Sequence, residues 1–313
     1  MEAGKANLEV FASTLLELAR QNSNLLVVTS DSRGSAKLAS FGKAAPGQIV
    51  EVGIAEQNLV GVAAGLAAAG KTVFAVSPAC FLTARSLEQI KNDVCYSDQP
   101  VKLVGISAGV SYGALGTTHH SLHDFAALRA IHNITMVVPA DNFETREVVL
   151  AAAKTLGPVY LRFGKKPMPN LPRLEPGIEL GKASTIRQGT DLTFLACGET
   201  VAPALAAAER LANENIQCRV VSLHTIKPLD ESAVRSAGTE TGGVMTVEEH
   251  SVHGGLGEAC AALLLEQGIS VPFKIVGFPD EYTVTGSQGE ILKHYGIDGP
   301  HLADTARRML AKH

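Results

Sequence analysis

Glu56 is the residue whose setting most invites a chemical reading. It stands between Gly47-Gln-Ile-Val50, which reads as the end of a short strand, and the Ala- and Gly-rich run at 59–70, which has helical spacing. A carboxylate at such a junction either offsets the helix dipole or, if buried, offers a hydrogen bond to a ligand. A second polar group follows at Gly116-Thr-Thr-His119-His120, with His123 three residues on. Three histidines so close suggest a metal, but only Asp124 stands near enough to extend the ligand set, so no metal is assigned. A third group, Ser30-Asp31-Ser-Arg-Gly-Ser35, ends the apolar run at 25–29. Polar residues at the carboxyl end of a parallel strand are where open α/β sheets bind ligands, although helix capping is the plain alternative for Asp31 and Ser35. Gly254-Gly-Leu-Gly257 lacks the Lys-Ser/Thr of a phosphate loop and reads as a turn into a helix. His250 and His253 are read as structural.

The elements that must hold these residues alternate. Helical spacing runs from Leu8 to Arg20, followed by a buried strand at 25–29. Helix 57–69, strand 72–76, helix 83–95, strand 101–106, helix 124–131, strand 134–138, helix 142–154 and strand 158–162 come next. This βα order predicts a doubly wound parallel sheet in an α/β protein. The segment 164–177 holds four prolines and cannot continue a helix or a central strand, so 164–180 is expected to be a linker. Beyond it a second, smaller alternation begins, with strands at 191–196, 217–222, 243–247 and 273–276. Helices are expected between them, and two more near 288–295 and 301–312. The expected division is a domain at 1–170 and another at 181–313.

Composition narrows the possibilities. The 313 residues are 46% hydrophobic and 19% charged, which suits two domains with substantial cores. A net charge of −4 gives no footprint for nucleic acid or an anionic membrane. No apolar run approaches the roughly 20 residues of a spanning helix, and the amino terminus lacks a signal-peptide pattern, so a cytoplasmic location is expected. The five cysteines, at 80, 95, 197, 218 and 260, have neither Cys-x-x-Cys nor zinc spacing and are read as reduced, mostly buried thiols.

Gly53-Ile-Ala-Glu-Gln-Asn58 and its small-residue helix resemble the signature of the pyrimidine-binding domain of transketolases and related thiamine diphosphate enzymes. The resemblance implies that Glu56 bonds N1′ of the cofactor's aminopyrimidine, which promotes loss of the thiazolium C2 proton. Phe81 matches the aromatic that stacks on that ring, where an ordinary core Phe is the alternative. His119 matches the histidine that contacts substrate oxygens near the reacting carbon. Asp31 matches a residue facing the cofactor, and Ser35 one close to the substrate phosphate. Arg162 matches a strand-end arginine on that phosphate, with a surface ion pair as the alternative. Two departures stand out. Leu87 replaces a frequent Tyr, and Leu115 stands where sugar transketolases carry an Asp that reads a substrate hydroxyl, which points to an unusual, branched or sulfonated sugar.

In the second half, Leu223-His-Thr-Ile-Lys-Pro-Leu-Asp230 and Thr246-Val-Glu-Glu-His250 resemble the transketolase carboxyl-terminal domain. The Gly-Asp-Gly…Asn signature of the family's first domain, which holds Mg²⁺ and the diphosphate, is absent. The resemblance therefore implies the carboxyl-terminal subunit of a two-subunit transketolase, an α2β2 assembly with a separate amino-terminal subunit that holds most of the Mg²⁺ contacts. It would move a two-carbon ketol unit from a ketose to an aldose phosphate. The rivals are the β subunit of a 2-oxo acid dehydrogenase E1 component, a fragment like 1-deoxyxylulose-5-phosphate synthase, and a non-catalytic partner that kept the fold.

Overall fold

A computed structural model describes residues 3–174 and 176–311. Its larger sheet has seven strands in the spatial order Thr225–Lys227, Thr135–Val137, Val159–Arg162, Lys102–Ile106, Thr72–Pro78, Leu25–Thr29 and Ile49–Glu51. Six run parallel, and Thr225–Lys227 closes one edge antiparallel to Thr135–Val137. Side chains along each strand alternate between two layers of core. Val27, Phe74, Val76 and Val104 face Phe11, Leu15 and Val148 from the helices Asn7–Gln21 and Asn142–Lys154. Val28, Val73, Ala75 and Leu103 face Leu59, Val60 and Ala63 of the helix Glu56–Ala68. Both faces are covered, and this is why these strands read as unbroken apolar runs. Parallel pairing brings Thr29, Glu51, Pro78 and Arg162 to one end of the sheet, so the loops that follow them open on the same side.

The second sheet orders Phe273–Phe278, Val244–Ser251, Leu192–Ala196, Cys218–Ser222 and Ser184–Arg187, the last antiparallel to its neighbour. Together with the first sheet this is the expected α/β architecture, with three differences. The predicted helix 83–95 is a helix Ala79–Arg85, a break at Ser86, and Leu87–Gln89 running into π-helical Ile90–Tyr96. Ser86 Oγ donates to the Leu82 carbonyl at 2.5 Å, a local bond that competes with the helical ladder. Within the proline-rich segment, Pro167–Pro169 pairs with Ala3–Ala6, because a two-stranded ribbon leaves an outer edge where a missing N–H costs nothing. The strands Ser184–Arg187 and Thr225–Lys227 were not expected.

The junction between the halves is built on Arg162. It is 6% exposed, which rules out a surface ion pair. Its Nε donates to Asp124 Oδ2 at 2.7 Å, and its Nη2 donates to the Ser121 and Glu249 carbonyls. Tyr160 also donates to Asp124 Oδ2, and the guanidinium lies 4.6 Å above the Phe125 ring. Burial pushes the Asp124 carboxyl up, but the Arg162 charge, His250 and these hydrogen bonds outweigh it and hold it below the usual range. His250 donates from Nδ1 to the Ser251 carbonyl and accepts the Ala126 N–H at Nε2. That pattern requires a neutral ring, in keeping with burial lowering its pKa to about 4.

Nearby, Gln288 Nε2 donates to both Glu199 Oε2, at 2.8 Å, and Glu249 Oε1, at 3.0 Å. Glu249 also accepts the Val110 N–H, whereas Glu199 Oε1 is buried with no partner among the described residues. Burial, and then the Glu249 charge, push Glu199 up to about 8. We therefore place the proton of this pair on Glu199.

Two outcomes follow. Asp124→Ala leaves the Arg162 charge buried and unpaired, and should cost about 3 kcal/mol or more in urea unfolding. Glu199 keeps a proton that the unfolded carboxyl releases near 4.5, so its contribution is present at low pH and is lost as pH rises through about 8. The stability of wild type relative to Glu199→Gln should fall across that window, with a slope in the difference no steeper than about 1.4 kcal/mol per pH unit.

Candidate active site

Glu56 opens its helix directly after Ala55, which has no side chain to cap it. Its carboxylate is 3% exposed and lies 3.1 Å from Arg85 Nη1. Arg85 sits one turn beyond Phe81 on the helix Ala79–Arg85, so the two share a face, and the guanidinium carbon is 4.4 Å from the Phe81 ring centre. The Phe81 ring meets His119 edge to face at 5.3 Å, and Tyr112 meets His119 in the same manner at 5.4 Å. Lys165 Nζ lies 4.7 Å over the Tyr112 ring. Glu56, Arg85, Phe81, His119, Tyr112 and Lys165 thus form one continuous cluster at the carboxyl end of the larger sheet.

The histidines divide their work. His119 is half-buried, with Nδ1 3.0 Å from Thr118 Oγ1. His120 is buried and donates from Nε2 to the Gly113 carbonyl, so its Nδ1, 3.2 Å from Thr283 Oγ1, accepts. Thr283 spends its proton there and accepts in turn from Thr117 at 3.0 Å. Burial lowers the His120 pKa, as this neutral pattern requires. His123 pairs with Thr83 Oγ1 at 3.3 Å. Each ring answers a different partner, and among the described residues no group of three or more His, Cys, Asp or Glu is placed to hold a metal ion.

The second half closes this loop from outside. Gly113 has φ +51°, and a Cβ there would come 2.5 Å from the Gly286 carbonyl, while one at Gly116 would meet Thr285 at 3.2 Å. Leu115, between them, is 54% exposed.

Asp31 and Ser35 lie on the neighbouring loop. Asp31 has φ +53°, a conformation Asp tolerates, and its N–H donates to Glu51 Oε1 at 2.6 Å. Glu51 also accepts from Gly53 and lies 3.3 Å from Arg33 Nε. The Asp31 side chain is exposed, and Ser35 Oγ donates to the Ser32 carbonyl. Neither forms a contact with the Glu56 cluster. Arg162 is buried at the junction, where its Nε and Nη2 are taken up, and Lys165, three residues further on, is the cation over Tyr112. Sequence reasoning passed over Arg85, Tyr112 and Lys165. The spacing of Arg85 four residues after Phe81 was the available signal. At Gly254–Gly257 the expected turn into a helix is present, and the backbone N–H groups of Leu256 and Gly257 donate to Glu248 of the adjacent strand at 2.7 and 2.8 Å, where a phosphate loop would hold its anion.

The residues fit part of a thiamine cofactor. A buried carboxylate and an aromatic face, spanned by one planar cation, suit an aminopyrimidine ring, whereas no described cluster would cage the Mg²⁺ of a diphosphate.

A pyrimidine-binding α/β layer joined to a second α/β domain is therefore the class that fold and site define. Residues 4–170 match the transketolase pyrimidine-binding domain and residues 181–302 the transketolase C-terminal domain. The chain is 48% identical over 303 residues to the second subunit of an apulose-4-phosphate transketolase of Phocaeicola vulgatus, covering 96% of each. It is 35% identical to a 6-deoxy-6-sulfo-D-fructose transketolase subunit of a Clostridium species, covering 96% of this chain and 93% of that one. Among solved structures, a split-gene transketolase described as an inactive β4 tetramer superposes with a TM-score of 0.88 at 36% identity, covering 98% of this chain and 99% of that one. The chain belongs to the transketolase family of transferases, with the make-up of the second subunit of a split transketolase, and that family depends on thiamine diphosphate.

Gly113→Ala should force the 113–120 loop away from Gly286, because the added methyl is both strained and blocked. A loss of about 1–3 kcal/mol in stability is expected, with faster amide exchange at 283–288 than in the unmodified protein.

Proposed function

We propose that this chain is the carboxyl-terminal subunit of a two-subunit transketolase that moves a two-carbon ketol unit from an unusual ketose to an aldose phosphate. The observation that carries this reading is Glu56, a carboxylate sealed from water and joined through the Arg85 guanidinium to the face of Phe81. Thiamine diphosphate, when bound, supplies the electron sink for carbon–carbon cleavage. Glu56 would hold a proton at N1′ of its aminopyrimidine, and Phe81 would fix the plane of that ring. His119, reached by solvent between Phe81 and Tyr112, would give or take a proton at a substrate oxygen. Asp31 and Ser35 would face cofactor and substrate from the 30–35 loop.

For the substrate phosphate the geometry favours Lys165 over Arg162. A surface ammonium beside Tyr112 can meet an anion, whereas the Arg162 guanidinium is buried and already paired with Asp124. Leu115 presents an exposed apolar side chain close to His119, where a hydroxyl-reading carboxylate would have stood. A donor that is branched or sulfonated suits that surface, and the relatives named for apulose 4-phosphate and 6-deoxy-6-sulfo-D-fructose support the same reading.

The Mg²⁺ and diphosphate would be held by a separate amino-terminal subunit with a Gly-Asp-Gly…Asn motif, in an α2β2 assembly active only when both chains are present. The relative solved as an inactive tetramer of one subunit type favours this requirement. We put the domain boundary in 164–180, and the end of one family match at residue 170 and the start of the next at 181 support it. We place the protein in the cytoplasm. Five buried, unpaired cysteines accord with a reducing compartment, and no helix among the described residues is long and apolar enough to cross a membrane.

Three measurements test this. In the reconstituted complex, Glu56→Gln should lower kcat by about 100-fold or more. Unchanged turnover would favour a non-catalytic partner, and release of CO₂ from 2-oxo acids would favour the dehydrogenase subunit. Lys165→Met should raise KM for phosphorylated sugars with kcat little changed, and an unaltered KM would remove Lys165 from phosphate binding.

A further inference from the structure

Arg85 makes both of the contacts that an aminopyrimidine ring on this face would need. Its guanidinium is a planar cation lying over Phe81, and its Nη1 donates to Glu56 Oε2. A ring stacked on Phe81 and bonded to the same carboxylate cannot share that space. The pair is also lopsided, since the Arg85 side chain is 50% exposed and that of Glu56 only 3%. A half-exposed arginine can move into water at little cost, whereas a buried carboxylate that loses its partner is strongly penalised.

We propose that Arg85 is a displaceable placeholder for the cofactor ring. In the subunit without cofactor it keeps Glu56 paired and Phe81 covered. On cofactor seating it swings into solvent and leaves both to the ring. The position of Arg85 suits that motion: it is the last residue of the helix Ala79–Arg85, directly before the break at Ser86, so its side chain is free on the solvent side. Arg85 is thus a positioning residue for Glu56 that lowers apparent cofactor affinity while protecting the empty site. This inference rests on the proposed seat of the ring at Glu56 and Phe81.

The test is thiamine diphosphate binding, measured by titration calorimetry at saturating Mg²⁺, to the full chain assembled with its diphosphate-binding partner. Loss of one exposed-side ion pair and one cation–π contact predicts that Arg85→Gln binds about tenfold tighter, equivalent to roughly 1.4 kcal/mol. Arg85→Lys, which keeps the charge without the planar stack, should fall between Arg85→Gln and wild type. Thermal unfolding of the cofactor-free chain gives a second readout, and the Arg85→Gln midpoint should drop because Glu56 is left unpaired. Equal or weaker binding by Arg85→Gln would overturn the placeholder and make Arg85 a bystander or a cofactor ligand. The parent reading is judged separately. Phe81→Ala and Glu56→Gln must each weaken binding in the same assay, and if neither does, the ring lies elsewhere and the inference falls with it.

Discussion

A buried arginine is tolerable only when its charge is paired, and the partners of Arg162 fix the geometry of this chain. Asp124 and the Ser121 carbonyl meet it from the segment that follows the His119 loop, and the Glu249 carbonyl from the second domain. Two separate stretches are therefore held within hydrogen-bonding distance of one side chain. His250, stacked on Phe125 at 4.7 Å, and Gln288, bridging Glu199 and Glu249, extend the same polar seam. Low dielectric strengthens each of these bonds and raises the penalty for breaking any one of them. The cluster around Glu56 and His119 thus shares its end of the sheet with a junction held by many bonds at once.

On that base the site is assembled from parts of different rigidity. Glu56 and Phe81 start helices that are packed against the sheet, whereas His119 belongs to a loop that is fixed mainly through its neighbour His120. The chain Thr117, Thr283, His120, Gly113 uses one proton per link and crosses from one domain to the other. The second domain therefore does more than complete a core, because its 283–286 segment sets the path of the loop that carries His119.

Much of the fold was legible because both sheet faces are buried, so the strands announce themselves as apolar runs and the helices as their amphipathic connectors. Glu56 was legible as well, from a carboxylate set between a strand and a helix of small residues. What escaped notice depends on distant partners. Arg162 and Lys165 lie three residues apart at one strand end, and nothing in their local sequence says that Asp124, 38 residues earlier, claims the first and leaves the second outside. Arg85 gave no sign of pairing with a residue 29 positions away. The strand Thr225–Lys227 is too short for a periodicity argument and belongs to a sheet whose other strands ended by residue 162.

That strand carries a lesson for recombining relatives of this protein. A chimera spliced within 164–180 would look clean on a linear map, yet it would bring a foreign edge strand to Met136 and Val137. Mismatched pairing there leaves open N–H and C=O groups along a sheet margin, which invites aggregation. Successful hybrids should keep 225–227 from the same parent as 135–137, so the unit of inheritance in this fold is larger than either domain.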